Sequence, residues 1–373
     1  MNKTKYTGYR PTWAQVDLKN LAYNFNLIKK KLSAKTKVLV TIKADAYGHG
    51  LIPVAKKLVS CGVDFFGVAS IDEGIKLRQA DIRLPILVMG LMLKNDITPL
   101  FGFRLTPTIS DEKIATAINN KARSLGKTIN VHIKVDTGMG RIGVLHEEAF
   151  DFIKKIHKLK YIKIEGIFTH FAIADTNRDF TYYQIGLFNR LISRLEKQGI
   201  HIPLAHAANS LGVLDYKKSH FNMVRPGLVI YGLYPKEDLN IELKPVLSLK
   251  TRVIYIKEVS KGSGISYGHE YITKKKTKIA TLPIGYGDGY PRNLSNRASV
   301  LINGKRFKIS GRICMDQIMV DVGGSKVKVG DEAVLIGVQG KNKITVEELA
   351  DLSGTIPYEI VCGLGSRIPR LYF

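Results

Sequence analysis

This 373-residue chain is poor in cysteine, with three, and short of acidic residues relative to basic ones. The three cysteines, Cys61, Cys314 and Cys362, are an odd number, far apart and without a Cys-x-x-Cys pair, so neither a disulfide framework nor a zinc ribbon is indicated. Histidines offer no metal site either, because "THFAIAD", "LAHAANS" and "SYGHEY" place no two ligands at helical spacing. No apolar run approaches the roughly 18 residues that a membrane span requires, and the opening "MNKTKYTGYRPTWAQVD" lacks the apolar stretch of an export signal. These absences predict a cytoplasmic protein with reduced thiols, no metal and no membrane association.

The shortage of acid leaves 57 basic against 32 acidic residues, a balance that raises nucleic acid as a partner. The distribution argues otherwise. The densest runs, "IKKKL" (28–32) and "TKKKTK" (273–278), lack the interleaved aromatics of a single-strand binder. The first also continues a helical stripe of Leu18, Leu21, Phe25, Ile28 and Leu32, which leaves its lysines on a solvated face. No nucleic-acid role is expected.

Apolar residues make up 45% of the chain, enough for a sizeable core. Eight apolar runs follow one another: "KVLVTIK" from 37, "DFFGVAS" from 64, "LPILVMG" from 84, "RLTPTIS" from 104, "INVHIKVD" from 129, "KIEGIFTHF" from 163, "PLAHAAN" from 203 and "NMVRPGLVIYG" from 222. Most gaps carry helix patterns, at 49–60, 72–80, 111–125, 146–158 and 180–198, whereas the third gap is short and weakly patterned. Strand and helix alternating eight times predict an α/β fold with a closed eight-stranded parallel barrel over 12–240; a doubly wound open sheet is the alternative.

Beyond residue 240 the texture changes to short β-branched runs with glycine turns. Residues 241–373, together with 1–11, are expected to form an all-β second domain, with a hairpin at Asn303-Gly304 inside "VLINGKRFKI".

Residues with chemistry gather where barrel strands end. Lys43 ends the first run, Lys134 and Asp136 the fifth, just before "TGMGRIG" with Arg141, and His170 the sixth. Asn209 and Ser210 follow the seventh, and Arg225 sits in the eighth. A lysine that finishes a buried strand must reach water or react, since an unpaired buried ammonium costs several kcal/mol. A lone lysine, an arginine on another strand and Gly/Ser turns that can present N–H groups to a phosphate suit a Schiff-base cofactor.

Taken together, "TIKADAYGHG", "VDTGMGRIG", "THFA", "HAANS", "VRPGLVIYG", "GISYG", "IGYGDGY", "RICMDQIMVDV" and "IPYEIVCGLGSRIPR" resemble the motifs of bacterial alanine racemase, in the family's order and across both domains. The resemblance implies a barrel carrying pyridoxal 5'-phosphate, a C-terminal β domain and a head-to-tail homodimer with shared sites. It implies interconversion of L- and D-alanine, supplying D-alanine for peptidoglycan; a serine or broad-specificity racemase of the same fold is the alternative. Lys43 would hold the cofactor and act as one base, and Tyr267, from the partner's β domain, as the other. Tyr47, Ser210, the backbone at Gly227 and Leu228, and Tyr358 look like phosphate ligands, with Asn209 beside them. Arg225 would face the pyridine nitrogen, supported by His170 and His206, and Arg141 the phenolic oxygen. Met315 and Asp316 would form the substrate-carboxylate side and Tyr286 the entrance, while Lys134 corresponds to a lysine that part of the family carbamylates. Gly287, Ile265 and Asp45 depart from the commoner residues without removing a functional group.

Overall fold

The computed structural model describes residues 9–236 and 238–373, so the assignment of residues 1–8 to the second domain lies outside the described residues. The chain starts with β1 (Thr12–Val16) and α1 (Leu18–Lys29). It continues through β2 (Lys37–Thr41), α2 (Lys43–Tyr47), α3 (Leu51–Ser60), β3 (Phe65–Val68), α4 (Ile71–Gln79) and β4 (Ile86–Val88). Then come α5 (Thr98–Gly102), β5 (Thr106–Ile109), α6 (Glu112–Ser124), β6 (Ile129–Asp136), the two-residue β7 (Val144–Leu145) and α7 (Ala149–His157). Next are β8 (Ile162–Phe168), α8 (Arg178–Lys197), β9 (Leu204–His206), α9 (Ser210–Asp215) and β10 (Met223–Val224).

The strand order β5-β4-β3-β2-β10-β9-β8-β6 is parallel throughout and closes on itself through pairing of β5 with β6, Thr108 opposite His132. Each of the eight apolar runs supplies one barrel strand. The barrel is filled from inside by Leu39, Phe65, Leu87, Leu204 and Met223, one residue from each of five strands, while Val38, Val40 and Phe66 point the other way into the main core under the helices. The helices begin where side-chain caps allow: Ser70, Asp111 and Asn177 accept the amides of Glu73, Ile114 and Phe180. In α1, Leu21, Phe25 and Ile28 are fully buried, each contributing about 1.5–3 kcal/mol of apolar burial. This helix stops at Lys29, so Leu32 lies beyond the stripe expected for it.

The boundary expected at residue 12 shifts. β1 pairs antiparallel with Leu247–Arg252 and parallel with Arg370–Tyr372, so Thr12–Val16 belongs to the C-terminal sheet although the barrel follows it in the chain. Arg10 joins the same side through an ion pair with the buried Asp288. The second domain is mostly strands, with the expected hairpin turning at Asn303 (φ 50) and Gly304 (φ 72) between Ser299–Ile302 and Lys305–Lys308. It is not purely β: α10 (Val346–Ser353), capped by Thr345, and α11 (Pro357–Cys362) lie near its end. The latter leans on the barrel, where Gly48 at φ 74 leaves no room for a side chain, since a Cβ there would lie 2.1 Å from the Val361 carbonyl oxygen. Arg370 donates to the Gly48 carbonyl at 3.1 Å and ties the two domains at the same place.

Candidate active site

Lys43 stands at the mouth of the barrel because β2 ends two residues before it, at Thr41, and the chain then reverses its handedness. Ala44, Asp45, Ala46 and Tyr47 all have φ of 52–54°, a turn of left-handed helix. L-residues resist this by about 1–2 kcal/mol each, because Cβ crowds the next carbonyl, so the turn carries roughly 4–8 kcal/mol of local strain. That accounts for the small residues after the lysine. The turn is held by Ala46 N–H donating to Ile42 O (3.0 Å), Gly48 N–H to Ala44 O (2.9 Å) and Leu51 N–H to the Asp45 carboxylate (2.8 Å). His49 closes it from below: Nδ1 lies 2.8 Å from Tyr47 O and 3.1 Å from Ala46 O, so the proton is assigned to Nδ1, and burial pushes the imidazole down to about 4.

A cavity of about 770 Å³ opens above this turn. Lys43 and Tyr47 line it from the turn, Lys134 and Arg141 from the end of β6 and its loop, and His170 from the end of β8. Asn209 and Ser210 enter from the start of α9, Arg225, Gly227 and Leu228 from the segment after β10, and Tyr358 from α11. The cavity thus holds four cationic side chains against one lining carboxylate, Asp175. Burial, with help from Arg225, pushes Lys134 down to about 7; burial alone pushes Arg225 to about 9; burial and the Arg141 charge lower Lys43. Such a site is electrostatically unsatisfied without an anion.

Arg225 is 4% exposed, and its guanidinium donates to Thr169 O (2.7 Å) and Ala207 O (3.0 Å). It also lies 2.9 Å from His206 Nδ1 and 3.4 Å from His170 Nδ1. Arginine only donates, so His206 Nδ1 accepts and its Nε2 carries the proton toward His132 Nδ1, 2.8 Å away. His132 Nε2 then faces the Glu165 carboxylate at 3.4 Å. Burial, followed by the Arg225 charge, holds His170 and His206 well below the usual imidazole range, so both are neutral. His132 and Glu165 escaped the sequence reading. The signal was an inward histidine two positions before Lys134 and an acid within the apolar run "KIEGIF".

On the opposite wall Gly227 N–H donates to Ser210 Oγ (3.1 Å), which leaves the hydroxyl proton free for a ligand, and Asn209 caps α9 by accepting Gly212 N–H (2.9 Å). A Cβ on Gly227 would sit 2.9 Å from the Tyr47 hydroxyl, so the floor is a cradle that only glycine leaves open. The rings of Tyr47 and Tyr358 lie 5.6 Å apart, and burial pushes both hydroxyls up, Tyr358 to about 12, which keeps them protonated donors. An amine, a buried guanidinium and a hydroxyl-lined cradle suit a phosphorylated aldehyde cofactor.

The remaining expected residues lie elsewhere. Tyr267, 70% exposed, and Met315, 53% exposed, share a second cleft of about 920 Å³ on the C-terminal domain with Asp316. Asp316 accepts from Arg367 at 2.6 Å. Tyr286 is exposed next to it, its N–H bonded to Cys314 O (3.1 Å), and Gly287 N–H is bonded to Met315 O (2.9 Å). The expected site is therefore split between two faces of one chain. His206 lies behind Arg225, 2.9 Å from its guanidinium, rather than in the cavity wall.

A lysine with a lowered pKa at the mouth of a parallel barrel, joined to a mostly-β domain with a second cleft, marks a two-domain enzyme, and the comparisons with known proteins make it an isomerase of amino acids. Residues 16–235 match the family model described as alanine racemase, N-terminal domain, and residues 246–372 match alanine racemase, C-terminal domain. The chain is 51% identical to an alanine racemase of Halothermothrix orenii over 97% of both chains, and 46% identical to one of Carboxydothermus hydrogenoformans over 97% of this chain and 100% of that one. The solved alanine racemase of Clostridium difficile 630 superposes with a TM-score of 0.93 at 43% identity, covering 99% of this chain and 97% of the other. The chain belongs to the alanine racemase family.

Proposed function

We propose that the enzyme interconverts L-alanine and D-alanine with pyridoxal 5'-phosphate, in a site that two copies of the chain complete. The observation that carries this reading is the division of the expected residues between the cavity around Lys43 and the exposed cleft around Tyr267. Neither face alone supplies two bases. A head-to-tail homodimer that lays the cleft of one copy over the cavity of the other brings the two together.

When bound, the cofactor supplies an electron sink that makes the substrate's α-proton acidic. Lys43 would hold it covalently; Ser210, Tyr47, Tyr358 and the backbone at Gly227 and Leu228 would hold its phosphate. Arg225, charged at neutral pH with a pKa of about 9, would face the ring nitrogen and lend it no proton readily, which restrains side reactions that need a fully developed sink. The amine of Lys43 would move the α-proton on one face, and the Tyr267 hydroxyl of the second copy would move it on the other. Arg141 and the backbone N–H of Met315, again from the second copy, bind the substrate carboxylate, with Asp316 and Tyr286 beside them. Lys134, at about 7, keeps enough neutral amine to take up carbon dioxide and release a proton, giving a carbamate that would orient Arg141. No helix among the described residues is long and apolar enough to cross a membrane, which is compatible with a cytoplasmic role in supplying D-alanine for peptidoglycan. The named relatives are all alanine racemases, which favours alanine over the serine or broad-specificity alternative.

The test is optical. L-Alanine and D-alanine followed by circular dichroism should decay to the same end point, and borohydride should fix the cofactor's mass on the peptide that carries Lys43. Optical activity that persists from either side, or a fixed mass on another lysine, refutes the reading.

A further inference from the structure

Glu73 has no place in the cavity wall, yet it holds the segment that carries Lys43. It sits in the first turn of α4, and its two carboxylate oxygens are used separately: Oε1 accepts the Ala44 N–H at 2.6 Å and Oε2 accepts the Ala69 N–H at 2.7 Å. Ala44 directly follows Lys43, and Ala69 directly follows β3. β2 and β3 are neighbours in the barrel, so one side chain bridges the loops that leave two adjacent strands at the mouth. A carboxylate that accepts two backbone N–H groups makes strong, charge-assisted bonds.

Capping α4 does not require this bridge. Ser70 already caps the helix, its Oγ accepting Glu73 N–H at 3.3 Å, and the Ala44 bond does nothing for α4. The left-handed turn does need it. Its own ladder starts only at Ala46 N–H to Ile42 O, so Ala44, at φ 52 and ψ 55, enters the disfavoured conformation with its amide held by Glu73. Rotation of that peptide would swing the Lys43 side chain off the rim.

We infer that Glu73 is a positioning residue for Lys43, a two-pronged clamp that fixes the entry to the left-handed turn and so aims the amine into the cavity. The inference rests on the reading of Lys43 as the cofactor lysine. The same carboxylate also brings negative charge toward an amine that otherwise faces Arg141, Lys134, Arg225 and the neutral His170, Tyr47 and Tyr358, with Asp175 in the wall and the Cys362 thiol close by.

Three variants separate the possibilities. Glu73→Gln removes the charge and one prong, Glu73→Asp keeps the charge on a stem too short to reach both amides, and Ser70→Ala weakens the α4 cap without touching the clamp. Two quantities are read: kcat and KM for alanine, and the pH midpoint for acylation of Lys43 in cofactor-free protein, followed on its peptide by mass spectrometry. Both Glu73 variants should lose about tenfold to a hundredfold in kcat with KM little changed. The labelling midpoint should move to lower pH in Glu73→Gln and stay in place in Glu73→Asp, and Ser70→Ala should keep wild-type kcat and midpoint. Wild-type kcat in both Glu73 variants, an unmoved midpoint in Glu73→Gln, or the same kcat loss in Ser70→Ala overturns the inference. Labelling is read in cofactor-free protein and reports on the Lys43 amine whether or not that lysine is the one that holds the cofactor, so failure of the clamp is distinguishable from failure of the Lys43 reading, which borohydride fixation tests by itself.

Discussion

Mixing two dead variants should restore activity, and the amount follows from how the site is divided. Lys43→Ala and Tyr267→Phe each remove one of the two proposed proton-moving groups, and losing such a group typically costs about 10²–10⁴ in rate. Homodimers of either variant have two crippled sites. In the proposed twofold dimer each cavity would face the other copy's cleft. In a mixed dimer, the cavity of the Tyr267→Phe chain keeps its Lys43 and meets the intact Tyr267 of the Lys43→Ala chain, while the second site has lost both groups. Equal amounts reassorting at random give about half mixed dimers with one working site of two, hence about one quarter of wild-type activity per unit of protein. Both side chains are suited to the test, since Tyr267 is 70% exposed and its loss removes one hydroxyl without opening a core. The assay is the decay of L-alanine optical activity after co-refolding, with different tags on the two chains. Doubly tagged dimers, purified through both tags, should carry about half the wild-type rate. If they stay at the level of the single variants, the two residues do not serve a common site across the dimer, and the proposed division is wrong.

Two further predictions concern the cavity. Gly227→Ala places a methyl 2.9 Å from the Tyr47 hydroxyl, and at about 1–3 kcal/mol of overpacking it should weaken cofactor binding by roughly tenfold to a hundredfold; an unchanged titration by cofactor absorbance would show that the cradle is looser than drawn. Lys134, pushed down to about 7 by burial and Arg225, binds a proton less readily in the folded chain than in the unfolded one, so between about pH 7 and 10 the unfolded state holds more protons and stability rises with pH, by at most ~1.4 kcal/mol per unit. Lys134→Met should abolish that part of the slope and stabilise the cofactor-free protein near pH 6–7, as urea unfolding in carbonate-free buffer would register; identical slopes in the two proteins would disprove it.

What the residues disclosed and what they hid divide along a physical line. Barrel strands are buried on both faces, so runs such as "KVLVTIK" and "INVHIKVD" announce themselves by being continuously apolar, and Asn303-Gly304 announces a hairpin because both residues tolerate positive φ. The rim residues were legible for a related reason: charge at the end of such a run needs an explanation. Membership of β1 was not legible, because its partners, Thr251 opposite Thr12 and Tyr372 beside Val16, are contributed by the far end of the chain, and no local pattern encodes a pairing over that distance. The helices α10 and α11 were hidden by their shortness. Glu73 was hidden by its ordinariness, since Ser-x-x-Glu at 70–73 reads as a helix start and is one, while the bond to Ala44 depends on a neighbouring loop.

The handedness of the Ala44–Tyr47 turn joins these strands of reasoning. Left-handed backbone and buried positive charge are both unfavourable to the folded chain, and both are concentrated around Lys43: strain of roughly 4–8 kcal/mol in the turn, and four cations sharing one cavity. A fold keeps such features only where the surroundings over-determine them, here through Glu73, Asp45, His49 and the Gly48 contact with α11 and Arg370. The proposed anionic cofactor, once bound in the cavity, would offset the electrostatic half of this cost and, by binding the folded chain alone, would draw the equilibrium toward it. Beyond the groups it is proposed to offer a neighbouring copy's site, the second domain acts within its own chain: through Val361 and Arg370 it clamps the glycine that ends the turn on which Lys43 is mounted.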